Sequence, residues 1–185
     1  MAVTLRVLLG IGGGIAAYKM AFLASRLVQR GAGVRVAMTP RATEFVGPLT
    51  FEGLTGRKVI LSSTQVDPDG SVPHIDAARW AQVYVVAPAT ADLLARLAHG
   101  AADDPVALLA LTCRCPLLLC PAMNDAMWLA PAVQANCAAL RRRGHDFLGP
   151  VAGHLAEGYD AIGRMVEPDA ILERVLQLTD RPAGP

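Results

Sequence analysis

Four short β-rich runs, residues 3–9, Val34–Met38, Val83–Ala87 and Leu117–Cys120, alternate along the chain with stretches whose apolar residues recur at helical spacing. Strands with no polar face belong in a sheet covered on both sides, and strands joined through helices run parallel. The pattern predicts an α/β fold: a doubly wound parallel sheet in three layers, as a single domain over residues 1–180 with a frayed tail at 181–185. The first helix spans Ile15–Arg30, carries Ile15, Met20, Phe22, Leu23 and Leu27 on its apolar face, and stops at Gly31 and Gly33. Further helices are expected at Ala42–Gly53 (one or two, around Pro48), Ile75–Ala81, Asp92–His99, Pro105–Thr112, Ala130–Arg143 and Asp169–Leu178. Phe147-Leu148 reads as a brief edge strand. Leu61–Pro73 and Val151–Ile162 read as loops, the first polar and mobile, the second containing glycine.

At 53% hydrophobic the chain is unusually apolar, yet no run reaches the roughly 18 residues needed to cross a bilayer. The surplus points to a homo-oligomer rather than a membrane. A formal net charge of +1 leaves no basic footprint for nucleic acid. Arg141-Arg142-Arg143 suits the solvated end of a helix. One arginine, Arg6, precedes an apolar run that Gly10–Gly14 interrupts, which makes a strand and turn rather than a signal peptide. Cys113-Arg114-Cys115 is too tight for a CxxC motif, and no histidine pair has zinc spacing, so no metal is expected. With Cys120 and Cys137, these read as reduced thiols of a cytoplasmic protein.

Chemistry concentrates where runs end. Gly12, Gly13 and Gly14 close the first strand and open a helix, an arrangement that lets amides and a helix N-terminus meet a phosphate. A tight turn needing glycine for packing alone stands as the alternative. Met38-Thr39-Pro40 ends the second strand with no acidic residue, which argues against a dinucleotide ribose and leaves a mononucleotide phosphate. Thr90, Ala91 and Asp92 follow the third strand, where Thr90 either meets the phosphate or caps the next helix. His74, between the polar loop and a helix, has the pKa range of a base, with a structural loop histidine as the plainer reading. Pro121-Ala-Met-Asn-Asp-Ala-Met-Trp128 follows the fourth strand. Its amide, thioethers and indole lie where open sheets bind ligands, and simple packing of Met123, Met127 and Trp128 is the alternative.

Taken together, Gly-Gly-Ile-Ala-Ala-Tyr at 13–18, His74-Ile-Asp-x-x-Arg79-Trp80, Ala-Pro-x-Thr at 87–90 and the octet at 121–128 resemble the homo-oligomeric flavin-containing cysteine decarboxylases. The resemblance covers residues 5–170 and implies a flavodoxin-like, Rossmann-type unit that forms a homotrimer or dodecamer, with FMN at a subunit interface. It implies cofactor contacts at Gly12, Gly13, Gly14, Thr39, Phe51, Thr90, Ala91 and Asp92. It makes His74 the base and Asn124 the holder of the substrate carboxylate. Arg79, Met123, Met127, Glu157, Gly158, Arg164 and Met165 line the substrate site in this reading.

Those residue types suit a cysteine carboxylate, which has no electron sink of its own. The base removes the thiol proton while flavin accepts hydride from Cβ, and the resulting β-thiocarbonyl acid loses CO2. Two departures stand out. The phosphopantothenoylcysteine branch carries A-C-G-x-x-G-x-G-x-M, whereas residues 156–165 read Ala-Glu-Gly-Tyr-Asp-Ala-Ile-Gly-Arg-Met, with Glu157 for the proton-donating cysteine and Ala161 for a glycine. Gly12 stands where serine is common. The expected activity is therefore oxidative decarboxylation of a C-terminal peptidyl cysteine to an aminoenethiol, in a ribosomal peptide pathway. The alternatives are phosphopantothenoylcysteine decarboxylation, with Glu157 as substitute donor, and an inactive flavin-binding regulatory subunit.

Overall fold

Alternate residues of each central strand point to opposite faces of the sheet, and both faces are apolar. The computed structural model describes residues 4–180. In chain order the elements are β1 (Arg6–Ile11), a 3₁₀ turn (Ile15–Tyr18), α1 (Lys19–Gln29), β2 (Gly33–Met38), α2 (Ala42–Phe45), α3 (Pro48–Thr55) and α4 (Pro73–Trp80). Then come β3 (Val83–Ala89), α5 (Ala91–His99), α6 (Pro105–Thr112), β4 (Leu117–Pro121), α7 (Asp125–Leu129) and α8 (Pro131–Arg142). The chain closes with β5 (Asp146–Phe147), β6 (Val151–His154), β7 (Asp160–Arg164) and α9 (Pro168–Thr179).

The main sheet has five parallel strands in the order β2-β1-β3-β4-β5. Val7, Leu9, Ile11, Val83, Val85, Leu118 and Cys120 pack against α1, Phe51 of α3, and α9. Leu8, Tyr84, Val86, Leu117 and Leu119 pack on the other face against α4, α5, α6 and α8. This is the flavodoxin-like three-layer arrangement, and its strand order reverses between β1 and β3. The crevice at such a reversal, beyond the carboxyl ends of the strands, is lined by whatever loops follow β1 and β3.

The glycine run does not end β1 where its first glycine stands. Gly10 lies inside the strand, paired with Ala37 and Val86, and a Cβ there would come within 2.4 Å of the Tyr84 hydroxyl oxygen. Tyr84 needs that space: it is wholly buried and its hydroxyl donates to the Val106 carbonyl at 2.9 Å. The first helix likewise begins as a 3₁₀ turn and becomes α-helical only from Lys19. β3 continues through Pro88 to Ala89, with a register shift after Val86 that absorbs the proline's missing donor.

Two expectations at the C-terminal side need correction. Residues 151–162 are not a loop: β6 and β7 pair antiparallel as a separate two-stranded sheet. And the octet itself contains a helix, α7, capped by Asn124. The edge strand sits one residue early, at Asp146–Phe147. Residues 61–72 form neither helix nor strand, as expected, and the tail at 181–185 lies outside the described residues.

Candidate active site

Two backbone turns meet at the carboxyl end of β1 and β3. The turn after β1 is forced by close neighbours: a Cβ on Gly12 would lie 2.1 Å from the Pro88 carbonyl oxygen, and one on Gly13 would lie 2.4 Å from Arg41 Cβ. Packing alone therefore demands the first two glycines. The same turn also opens onto a cleft of about 910 Å³, whose floor includes Gly13, Gly14, Ile15 and Ala16. Packing thus accounts for Gly12 and Gly13, while Gly13 and Gly14 also face the cleft.

Across the floor, Thr90 caps α5 by accepting from the Leu93 amide at 3.3 Å. The amides of Ala91 and Asp92 have no acceptor within the helix and stand at its positive end. Thr39 holds α2 in the same way, accepting from the Ala42 amide at 3.2 Å. Thr39, Thr90, Ala91 and Asp92 all line the cleft. The Asp92 carboxylate does not oppose an anion there, because Arg96 donates to it at 3.0 Å. Arg96 also binds Asp103 at 2.5 Å, and those two carboxylates raise its already high pKa.

The opposite wall is the octet and the hairpin. Met123, Asn124 and Met127 line the cleft together with His154, Leu155, Ala156, Glu157, Gly163, Arg164 and Met165. Hairpin and octet are locked together: the Met123 amide donates to the Gly163 carbonyl at 3.0 Å, and a Cβ on Gly163 would fall 2.2 Å from the Met123 carbonyl oxygen. Asn124 caps α7 through Oδ1, which accepts from the Ala126 amide at 2.9 Å. Its Nδ2 donates to Glu157 Oε1 at 3.0 Å and to the Tyr159 hydroxyl at 2.9 Å. Tyr159 in turn donates to Asp125 Oδ1 at 2.7 Å, and that bond pushes its phenol above its usual range.

Sequence reasoning missed Lys19, Arg41, Arg96 and Asp104 in this cleft. Lys19 is nearly buried and bonded to Glu167 at 2.9 Å, and Arg164 binds the same carboxylate. Asp104 is buried because it caps α6, accepting from the Val106 and Ala107 amides at 2.8 and 3.0 Å. The Asp104-Pro105 pair before an apolar helix is the one signal that could have drawn it out.

Five expected site residues lie outside the cleft lining. Phe51 is 0% exposed, the one buried side chain of α3, and its ring packs in the core. Gly12 is buried beneath the floor, and Gly158 stands exposed at the hairpin tip with φ 92°. His74 and Arg79 sit on α4. That helix crosses back between parallel strands, so His74, in its first turn, lies at the same end of the sheet as the cleft. Arg79 is exposed and, five residues on, leaves the helix roughly 140° away. His74 is half-buried, and its buried Nδ1 has no hydrogen-bond partner among the described residues. One chain thus gathers the glycine turn, Thr90 and the Asn124 carboxamide around one cleft, and His74 is not among the lining residues. Among the described residues no cluster of ligands could hold a metal.

Fold and site together define a flavodoxin-like α/β unit whose switch-point cleft offers amides and helix ends to an anion. The chain belongs to the flavoprotein family, whose pattern matches residues 1–180. It is 48% identical over 165 residues to the coenzyme A biosynthesis bifunctional protein CoaBC of Vibrio vulnificus (strain YJ016), a match covering 88% of this chain and 41% of that protein. The chain thus spans about two fifths of the length of such curated relatives. Among solved structures, the FMN-dependent cysteine decarboxylase SpaF superposes with a TM-score of 0.80 at 32% identity, covering 94% of this chain and 97% of that one. A PPC decarboxylase mutant complexed with pantothenoylaminoethenethiol superposes with a TM-score of 0.86 at 28% identity, covering 96% and 100%.

Proposed function

We propose that this chain is an FMN-dependent decarboxylase of a small molecule bearing a cysteine carboxylate, phosphopantothenoylcysteine in coenzyme A biosynthesis. The observation that carries the reading is one cleft in which a phosphate cradle (Gly13, Gly14, Thr90) faces a carboxamide donor (Asn124). The CoaBC relatives, at 48% identity, favour this substrate over the peptidyl cysteine that residue 157 first suggested.

Flavin mononucleotide suits the residues present. A cleft of about 910 Å³ is at the roomy end for such a ligand. The unpartnered amides of Ala91 and Asp92, with the backbone of Gly13 and Gly14, would hold its phosphate, and Thr39 and Thr90 flank them. Ile15, Met123, Met127 and Leu155 would line the ring and keep it dry. Bound flavin supplies an acceptor for the hydride of the substrate Cβ–H.

Asn124 orients the substrate carboxylate through a neutral donor, so the carboxylate is fixed without the charge stabilisation that would oppose CO2 loss. His74 takes the thiol proton. For that, a second copy of the chain must lie against the cleft, as in a homotrimer or a dodecamer of such units. An exposed apolar face beside the cleft supports such packing: Ile15 is 65% exposed, Phe22 59% and Leu49 77%. No helix among the described residues is long and apolar enough to cross a membrane; a role in coenzyme A biosynthesis would be a cytoplasmic one.

A second reading rests on Glu157. It stands where the phosphopantothenoylcysteine branch carries its proton-donating cysteine, and its carboxylate accepts a hydrogen bond from Asn124. Without a donor the product stays oxidised, as a peptidyl-cysteine decarboxylase would leave it. Flavin-loaded protein incubated with phosphopantothenoylcysteine should release CO2 alone, read as product mass. A product that has lost CO2 and two hydrogens gives the second reading. If neither this substrate nor a peptide ending in cysteine is turned over, both readings fail. Asn124→Asp keeps the α7 cap and removes the donor, so KM should rise roughly ten- to a hundredfold, the worth of one bond to a charged group.

A further inference from the structure

Every hydrogen-bonding group of the Asn124 side chain is used within the chain itself. Oδ1 accepts from Ala126, which fixes which way the carboxamide faces, and the two hydrogens of Nδ2 go to Glu157 and Tyr159. Tyr159 has a single proton and gives it to Asp125, so towards Asn124 it acts as acceptor only. The two hairpin contacts therefore differ in kind. One is a neutral oxygen held in place by Asp125. The other is a carboxylate on an exposed turn, beside Gly158 with its positive φ.

We propose that Glu157 is a built-in stand-in for the substrate's carboxylate, which must displace it, while Tyr159 is a positioning residue that keeps the other Nδ2 hydrogen out of the exchange. The inference rests on the reading that Asn124 binds the substrate carboxylate. A carboxylate of the same charge sits on the one hydrogen that Tyr159 leaves available, and a single hydrogen cannot serve two carboxylates. Entry of substrate releases the Glu157 carboxylate from Nδ2, while the Met123–Gly163 bond holds the base of the hairpin in place. Without substrate, Glu157 latches the tip over the cleft. Ligands are then selected by their carboxylate, since a neutral thiol gains no bond to Asn124.

Binding to the flavin-loaded protein of N-acetylcysteine, and of N-acetylcysteamine as its carboxylate-free counterpart, separates these roles. Glu157→Gln weakens the latch by replacing a charge-assisted bond with a neutral one and removes the like charge. N-acetylcysteine should then bind roughly tenfold tighter, with N-acetylcysteamine unchanged. Tyr159→Phe should loosen N-acetylcysteine roughly tenfold and again spare N-acetylcysteamine, a discrimination that a merely structural tyrosine would not alter. Hydrogen exchange of the 156–159 amides in the ligand-free protein should quicken several-fold in Glu157→Gln. Unchanged exchange together with equal or weaker N-acetylcysteine binding in that variant overturns the latch. Failure of the underlying reading has its own signature: Asn124→Asp would bind N-acetylcysteine as the unaltered protein does.

Discussion

Replacing Gly163 by alanine tests whether the hairpin and the octet form one wall. The added Cβ would sit 2.2 Å from the Met123 carbonyl oxygen and 3.4 Å from the Asn124 carbonyl carbon, on a backbone with φ 141°. Real Cβ atoms keep beyond 3.0 Å from such neighbours, so β7 must draw back by about 1 Å. That movement breaks the 3.0 Å bond from the Met123 amide. A strained φ costs about 1–3 kcal/mol and the lost bond about 0.5–1.5 kcal/mol, so some 3 kcal/mol is expected. For a chain of this length, that lowers Tm by about 6–12 °C. The damage should stay local, because β6 and β7 are not part of the five-stranded sheet. Thermal unfolding followed by circular dichroism gives the first magnitude. Hydrogen exchange should quicken most along β6 and β7, while binding of N-acetylcysteine to the flavin-loaded variant falls. If Gly163→Ala melts with the unaltered protein and binds as tightly, the close approach is not what joins the two walls.

Two further outcomes follow from the cleft. The hydrogen bond from Lys19, with the charges of Lys19 and Arg164, holds the Glu167 carboxyl below its usual range. A lowered folded-state pKa stabilises above about pH 4.5, the value in the unfolded chain, and the contribution is lost as pH falls through the folded value. In urea titrations the stability gap between the unaltered protein and Lys19→Met should therefore narrow from neutral pH towards about pH 3, and modestly, because Glu167 is half exposed. A gap independent of pH would show that the pair adds nothing. Thr90→Ala should lose about 1 kcal/mol with the α5 cap and come off purification with less bound flavin, read from its visible absorbance, whereas Thr90→Ser should keep both.

The sheet was legible because burial on both faces leaves its strands no polar residues, and that pattern survives in the letters of β3 and β4. What escaped was settled across the fold rather than along it. Gly10 looks like a strand end until Tyr84, seventy-four residues away in sequence, claims the space above it. Pro88 looks like a stop until the irregular register with β4 makes its missing donor harmless. The hairpin at 151–164 was invisible for a different reason. Its strands are mostly exposed, so neither carries an alternation of apolar and polar residues for a reader to find.

The site was legible through its loops and obscure in its charges. Glycines, Thr90 and Asn124 stand at strand ends, where local sequence fixes the backbone and hence what faces the cleft. Lys19 reads as an ordinary helix residue, and only the fold shows that it is buried against Glu167 from the far end of the chain. Phe51 shows the converse, since the core holds the ring of a residue that the resemblance placed at the ligand. Glu157 combines both difficulties. As a letter it reports the loss of a cysteine, which says what the chain lacks. Its position, with the carboxylate on the Asn124 amide, shows what took the cysteine's place. A group that accepts a hydrogen bond from the substrate's own anchor competes with the substrate for that anchor.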